Sequence, residues 1–236
     1  MILLRSTLFL LWFAVLSTVM SIVLFPVMLL PPGAPVWLSR RWCAATLWGL
    51  KIFAGIGFEL RGSPPPRGVL VAAKHMSMWD TLALNLVLGG PAFVLKRELL
   101  LVPFFGWYLW KAGMIAIDRS AGPSALRKMT AAARRAFARH RSVLIFPEGT
   151  RKKPGDTPDY KPGAAGLYGQ LGVACVPVAL NSGLFWTGFV KKPGVILVEF
   201  LEPIPTGLKR PAFMDLLETR IETGTRALIA EGRRSA

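Results

Sequence analysis

Gly68-Val69-Leu70-Val71-Ala72-Ala73-Lys74-His75-Met76-Ser77-Met78-Trp79-Asp80-Thr81-Leu82-Ala83-Leu84-Asn85-Leu86 decides the fold. Its unbroken apolar run, Val69–Ala73, reads as a short buried strand. Thr81 to Leu86 reads as the start of a helix. A strand feeding a helix through a polar turn is the repeating unit of an open α/β sheet. Such sheets place ligands outside the carboxyl ends of their strands.

Working outward, the same rhythm recurs. Strand-like runs fall at Ala92–Leu95, Met114–Ile117, Val143–Phe146, Ala174–Leu180 and Val195–Leu201. Helix-like stretches fall at Thr81–Leu88, Leu99–Lys111, Pro123–Arg139, Ala164–Leu171 and Pro211–Glu231. This β-then-α order predicts an α/β domain, a largely parallel sheet flanked by helices. Polar residues gather where strands end: Lys74, His75 and Asp80; Lys96, Arg97 and Glu98; Asp118 and Arg119; and Glu148, Gly149, Thr150 and Arg151. Charge at successive ends of one sheet describes a site with a cationic floor for an anionic ligand.

His75 and Asp80 are five residues apart. On a continuous helix they would point roughly 140° from each other. They meet if His75 stays in the turn and Asp80 sits in the first helical turn, with Ser77 as N-cap. A histidine oriented by a buried aspartate is a general base without its own nucleophile, so the nucleophile would be a substrate hydroxyl. These residues leave a second reading open: Asp80 completes a Ser-x-x-Asp cap, and His75 is a satisfied polar residue. Phe146-Pro147-Glu148-Gly149-Thr150-Arg151 divides in the same way. Gly149 permits positive φ, Arg151 offers a fork for phosphate, and Glu148 orients an arginine or a substrate hydroxyl. The alternative there is a strand-end turn with a local Glu–Arg pair.

The formal net charge of +16 suits nucleic acid or an anionic membrane surface. The N-terminus favours the membrane. Ser6 to Leu30 carries no charge and is long enough for a bilayer core of ~30 Å. Pro31-Pro32-Gly33-Ala34-Pro35 then breaks the helix, and a weaker apolar segment runs from Trp42 to Phe58. Residues 1–60 therefore read as a membrane-embedded helical hairpin, monotopic in preference to spanning. Residues 61–67 read as a linker, and 68–236 as the catalytic domain. Cys43 and Cys175 lie far apart in apolar runs, which fits buried free thiols. The chain has only two histidines and its cysteines show no metal-ligand spacing, which argues against a zinc site built from His75, His140, Cys43 and Cys175.

Taken together, His75-Met76-Ser77-Met78-Trp79-Asp80, Gly113-Met114-Ile115-Ala116-Ile117-Asp118-Arg119, Phe146-Pro147-Glu148-Gly149-Thr150-Arg151 and Val176-Pro177-Val178-Ala179-Leu180 resemble the four ordered blocks of the lysophosphatidate acyltransferases. These are the membrane glycerolipid acyltransferases that convert 1-acyl-glycerol-3-phosphate to phosphatidate. Lys96-Arg97-Glu98 and Pro103-Phe104-Phe105-Gly106 stand between the first two blocks. The resemblance implies an O-acyltransferase of phospholipid biosynthesis at the cytoplasmic face of the inner membrane. His75 would be the base on the lysolipid's sn-2 hydroxyl, and Asp80 would hold it. Lys96, Arg119, Glu148, Gly149, Thr150 and Arg151 would serve the acceptor. The donor would be acyl-CoA or acyl-carrier protein, attacked directly, with no metal or cofactor. Membrane lipids, lysophosphatidate and an anionic membrane surface are the implied partners, and nucleic acid is not.

The same motifs would serve another acceptor, such as a lyso-ornithine lipid or glycerol-3-phosphate. A hydrolase using Ser77 lacks the Gly-x-Ser-x-Gly elbow. Lys74 departs from the polar residue that many members carry before the histidine, and a cation beside His75 would favour an uncharged imidazole.

Overall fold

Leu70 and Ala72 face one side of a seven-stranded sheet, Val71 and Ala73 the other, and all four are buried. A strand covered on both faces requires a layer of helices on each side. The computed structural model describes residues 1–118 and 122–234 and supplies both layers. The chain runs α1 (Ile2–Val23), α2 (Gly33–Gly49), β1 (Ile56–Arg61), β2 (Leu70–Ala73), α3 (Trp79–Val87) and β3 (Ala92–Lys96). It continues through α4 (Phe105–Lys111), β4 (Ile115–Ile117), α5 (Gly122–Phe137), β5 (Val143–Ile145) and α6 (Gly163–Leu171). It ends with β6 (Cys175–Leu180), β7 (Trp186–Thr187), β8 (Val190–Lys191), β9 (Gly194–Phe200) and α7 (Arg210–Arg234). Phe9, Leu47, Leu82 and Ile196 pack with Val71 and Ala73. Met129, Leu167, Phe213 and Leu217 pack with Leu70 and Ala72.

The sheet order is β1-β9-β6-β2-β5-β3-β4. Only the β6–β9 pairing is antiparallel among those of this sheet, so it is largely parallel, as the sequence predicts. β2 sits between β6 and β5, in register Leu70↔Val143, Val71↔Leu144 and Ala73↔Val178. The turns after β2 and after β5 are therefore neighbours in space although 74 residues separate Lys74 from Glu148. That adjacency assembles the site.

Two expectations need correction. The second apolar segment does not run as one helix to Phe58. Gly55 adopts φ 68, which ends the helical turn after α2, and Ile56–Arg61 then pairs in parallel with β9. Residues 56–60 are thus an edge strand of the domain, and the boundary moves from residue 60 to Gly55. The helix also begins earlier than Trp42, at Gly33, because a proline in the first turn needs no N–H partner there. Separately, Leu99–Lys111 is not one helix. A 3₁₀ turn over Arg97–Leu101 stops at Pro103, and Phe104 takes φ 60 before α4 begins.

α1 is long and apolar enough to cross a membrane, yet it is fastened along its inner face to the domain. Phe9 meets Trp186 edge-on at 5.5 Å. Arg5 Nε donates to the Phe53 carbonyl at 2.9 Å, Trp12 Nε1 to the Ala45 carbonyl at 3.1 Å, and Trp42 Nε1 to Ser17 Oγ at 3.1 Å. The opposite face presents Leu4, Leu8, Leu11, Val15, Val19 and Ile22 as a continuous exposed stripe at helical spacing.

At the amino-terminal rim of the sheet, Arg141 donates to the carbonyls of Gly90 at 3.0 Å, Ala112 at 2.6 Å and Pro91 at 3.1 Å. Burial, with a smaller contribution from Arg139, pulls its guanidinium down to about 10. Arg141→Met strips three carbonyls of their donor, at an expected cost of about 1–3 kcal/mol. At roughly 2–4 °C per kcal/mol for a chain of this size, the thermal midpoint in detergent should fall by several degrees.

Candidate active site

The turn after β2 is built around one carboxylate. Asp80 is fully buried. Its Oδ2 accepts from His75 Nδ1 at 2.9 Å, Met76 N at 2.7 Å and Ser77 N at 2.9 Å. Ser182 Oγ donates to Oδ1, and Ser77 Oγ lies 3.3 Å from the same oxygen. Ser77 Oγ in turn accepts from Trp79 N at 3.2 Å. Ser77 is not the N-cap that the sequence suggests: the N-cap falls at Met78, which makes no side-chain cap bond, and the Ser77 and Asp80 side chains instead interlock the turn just ahead of the helix. The catalytic and structural readings of the pair are one arrangement: the bonds that hold this turn also aim the aspartate at His75.

A carboxylate can only accept, so Nδ1 carries the imidazole proton and Nε2 is left with a lone pair. The ring is stacked on Phe146 at 3.9 Å and 16°, and its side chain retains 12 % exposure. It is therefore fixed in tautomer by Asp80, fixed in plane by Phe146 and open at one edge. That edge can remove a proton from a hydroxyl brought to it. The buried Ser77 hydroxyl, committed to Asp80, Ser182 and Trp79 N, is not presented as a nucleophile.

The second centre is a charge cluster. Lys74 Nζ bonds Glu148 Oε1 at 2.9 Å and Glu222 Oε1 at 2.7 Å, and Tyr160 Oη donates to Glu222 Oε1 at 2.9 Å. Lys74 and Glu148 are almost fully buried. Burial pushes the Glu148 carboxyl up, against the opposing pull of Lys74. Burial and the neighbouring Glu222 push the Tyr160 phenol up as well. Lys74 is therefore not a bare cation beside His75, since two carboxylates compensate it. Among the described residues Glu148 pairs with Lys74 and not with an arginine. It faces inward, and with Glu222 and Tyr160 it ties the ends of β2 and β5 to α7.

The remaining expected residues stand apart from this core. Gly149 takes φ 66, the conformation anticipated for it. Thr150, Arg151 and Lys96 are exposed on the rim at the ends of β5 and β3. Arg97 Nη1 pairs with Asp118 Oδ2 at 2.7 Å. Arg119 lies outside the described residues. Ser182, Glu222 and Tyr160 were not anticipated. Ser182 follows β6 as the other polar residues follow their strands, so the strand-end rule could have flagged it. Glu222 is one of several acids on a charged helix, and nothing in its local sequence marks it.

The family model for acyltransferases matches residues 59–181, from β1 through the end of β6. The chain belongs to the acyltransferase family. The match spans the turn holding His75 and Asp80, the Glu148 block and β6, and it starts inside β1, in agreement with the corrected domain boundary. Among curated acyltransferases, the 1-acyl-sn-glycerol-3-phosphate acyltransferase of Pseudomonas aeruginosa is 38% identical over 163 residues, covering 67% of this chain and 63% of that protein. The lyso-ornithine lipid O-acyltransferase of the same organism is 33% identical over 153 residues, covering 64% of this chain and 57% of that protein. This chain thus spans somewhat under two thirds of the length of either. The crystal structure of the 1-acyl-sn-glycerophosphate acyltransferase from Thermotoga maritima superposes with a TM-score of 0.73 over 95% of this chain and 97% of that one. At 21% identity that likeness establishes the shared fold.

Proposed function

We propose that this acyltransferase moves an acyl chain from acyl-CoA or acyl-carrier protein to the sn-2 hydroxyl of 1-acyl-glycerol-3-phosphate, giving phosphatidate. The observation that carries the reading is the His75–Asp80 pair at 2.9 Å, with an aspartate saturated by backbone and hydroxyl donors. Nε2 of His75 takes the proton of the lysolipid hydroxyl as its oxygen attacks the thioester carbonyl. Asp80 stabilises the imidazolium that forms, without itself becoming protonated. Collapse of the tetrahedral intermediate breaks the C–S bond, and the leaving thiolate takes the proton back from Nε2. The exposed cations Lys96 and Arg151 favour an acceptor phosphate held beside that edge, and Arg119 completes the sequence-based set.

The exposed stripe of α1, on a helix whose other face is fastened to the domain, supports a monotopic hairpin lying in one leaflet. The soluble donors would meet it at the cytoplasmic face of the inner membrane. The match to a lyso-ornithine lipid acyltransferase favours one second reading, in which the acceptor is a lyso-ornithine lipid.

The deciding assay uses purified protein in vesicles, with labelled acyl-CoA and acyl-carrier protein offered in parallel. Lysophosphatidate, lyso-ornithine lipid and glycerol-3-phosphate compete as acceptors. Labelled phosphatidate should dominate. A preference for lyso-ornithine lipid would move the assignment to the second reading, and free fatty acid as the main product would sink both.

A further inference from the structure

Between β3 and β4 the chain forms an outward bulge that the reaction does not use. Leu101 is 81 % exposed and Trp110 69 %, and Val102, Phe105 and Trp107 are exposed beside them. The bulge is built and not slack. A Cβ on Gly106 would lie 2.1 Å from the Leu100 carbonyl oxygen, so only glycine closes the turn this tightly. Phe104, a bulky residue, is held at φ 60 to make it. These five large apolar side chains, on the tight turn and the short α4 that follows it, are held out to water at a solvation cost that the edge-on contact of Trp107 with Phe104 at 5.3 Å offsets only in part.

Three observations say what covers them. The bulge is continuous with the lipid-facing stripe of α1: Phe25, just past the end of α1, meets Phe104 at 6.0 Å and Trp107 at 5.9 Å, edge-on in both cases. Cations stand at both ends, Lys96 and Arg97 before it and Lys111 after it; Glu98 lies among them and Asp118 pairs with Arg97, which leaves Lys96 and Lys111 as the flanking charges. Its composition, tryptophans beside leucine and phenylalanine with basic flanks, matches the interface of an anionic bilayer. From this continuity of surface and charge we infer that the Leu99–Trp110 bulge is a second membrane-inserting element. It wedges into the headgroup and upper acyl region beside the N-terminal hairpin. Because it springs from the carboxyl end of β3, it sets the Lys96 rim at headgroup depth. A lysolipid then reaches that rim without leaving the interface. The inference rests on the membrane reading of α1 given above, and its test separates the two.

An environment-sensitive fluorophore is attached in turn to Leu101→Cys, Leu11→Cys and Glu202→Cys. Cys43 and Cys175 are buried and shielded from labelling in the folded protein. Leu11 reports the α1 stripe. Glu202 is a control on the opposite rim, because β9 runs antiparallel to β6. The vesicles contain phosphatidylethanolamine and phosphatidylglycerol, with or without a nitroxide on the acyl chain. The expected result is a blue shift at Leu101 and Leu11 on adding vesicles, nitroxide quenching of both, and neither effect at Glu202. Quenching at Leu11 with a water-like Leu101 overturns the wedge and leaves the hairpin reading standing. Failure at both sites overturns both. A Leu101 probe already shielded in detergent, in proportion to protein concentration, also overturns the wedge and assigns the patch to a second copy of the chain.

Discussion

His75→Ala should lower the rate of acyl transfer by about 10²–10⁴-fold, the usual contribution of a positioned general base. The loss should fall on kcat, because the lone pair on Nε2 acts on a proton in flight and the imidazole edge adds little to ground-state binding. The fold should survive. The side chain is 12 % exposed, and its main apolar contact is the stacked ring of Phe146, worth about 0.5–1.5 kcal/mol. Asp80 keeps the amides of Met76 and Ser77 and the hydroxyl of Ser182 when the imidazole is gone. Near-UV circular dichroism and thermal midpoint, measured beside single-turnover rates, separate chemistry from folding. Wild-type rates in His75→Ala would remove His75 from the mechanism. Asp80→Asn makes a useful contrast: it also disrupts the turn, so it should lose activity and thermal stability together.

The sequence carried the local chemistry better than the long-range pairing. A strand, a polar turn and a helix start are written within the nineteen residues from Gly68 to Leu86, and the Ser77–Asp80 interaction is visible in their spacing, although the N-cap falls at Met78 and not at Ser77. The parallel sheet follows from β-then-α repetition. What the sequence could not show is who stands next to whom. Lys74 and His75 are neighbours in the chain, yet their side chains belong to different clusters: one bonds acids on the β5 turn and on α7, the other Asp80. Glu222 joins that cluster from 148 residues away. No spacing rule covers such a distance. β1 was missed for a different reason. Six residues of alternating character at the end of an apolar run are hidden until β9 is there to pair with them, and Gly55 is then seen to end the helix rather than sit within it. Pro103 and Phe104 likewise divide a stretch whose apolar pattern alone reads as continuous.

Lys74→Met should destabilise the protein by about 3–5 kcal/mol, the cost of removing one partner from a buried ion cluster. The number is large because the acids left behind are committed. Glu148 has no exposed side-chain surface and Glu222 has 16 %, so neither reaches bulk water without moving the β5 turn or α7. pH gives the prediction a signature. Burial already raises the Glu148 carboxyl, and loss of Lys74 removes the attraction that opposes it. A carboxyl whose folded pKa lies above its unfolded one is tolerated when protonated and destabilises as pH rises through and beyond the unfolded value. The gap between Lys74→Met and wild type should therefore narrow on acidification and widen toward neutrality. Adding Glu148→Gln and Glu222→Gln to Lys74→Met should recover part of the loss, because uncharged groups replace the stranded charges. Thermal unfolding in detergent across a pH series checks all three statements. Acyl-transfer rates on the same variants ask a further question, since Lys74 N also donates to the Val178 carbonyl and anchors the residue next to His75. If the triple variant regains stability and activity together, the cluster works by holding the turn in place. If it regains stability alone, the Lys74 charge acts at the reaction centre itself, and the compensation by Glu148 and Glu222 must be incomplete where the substrate binds.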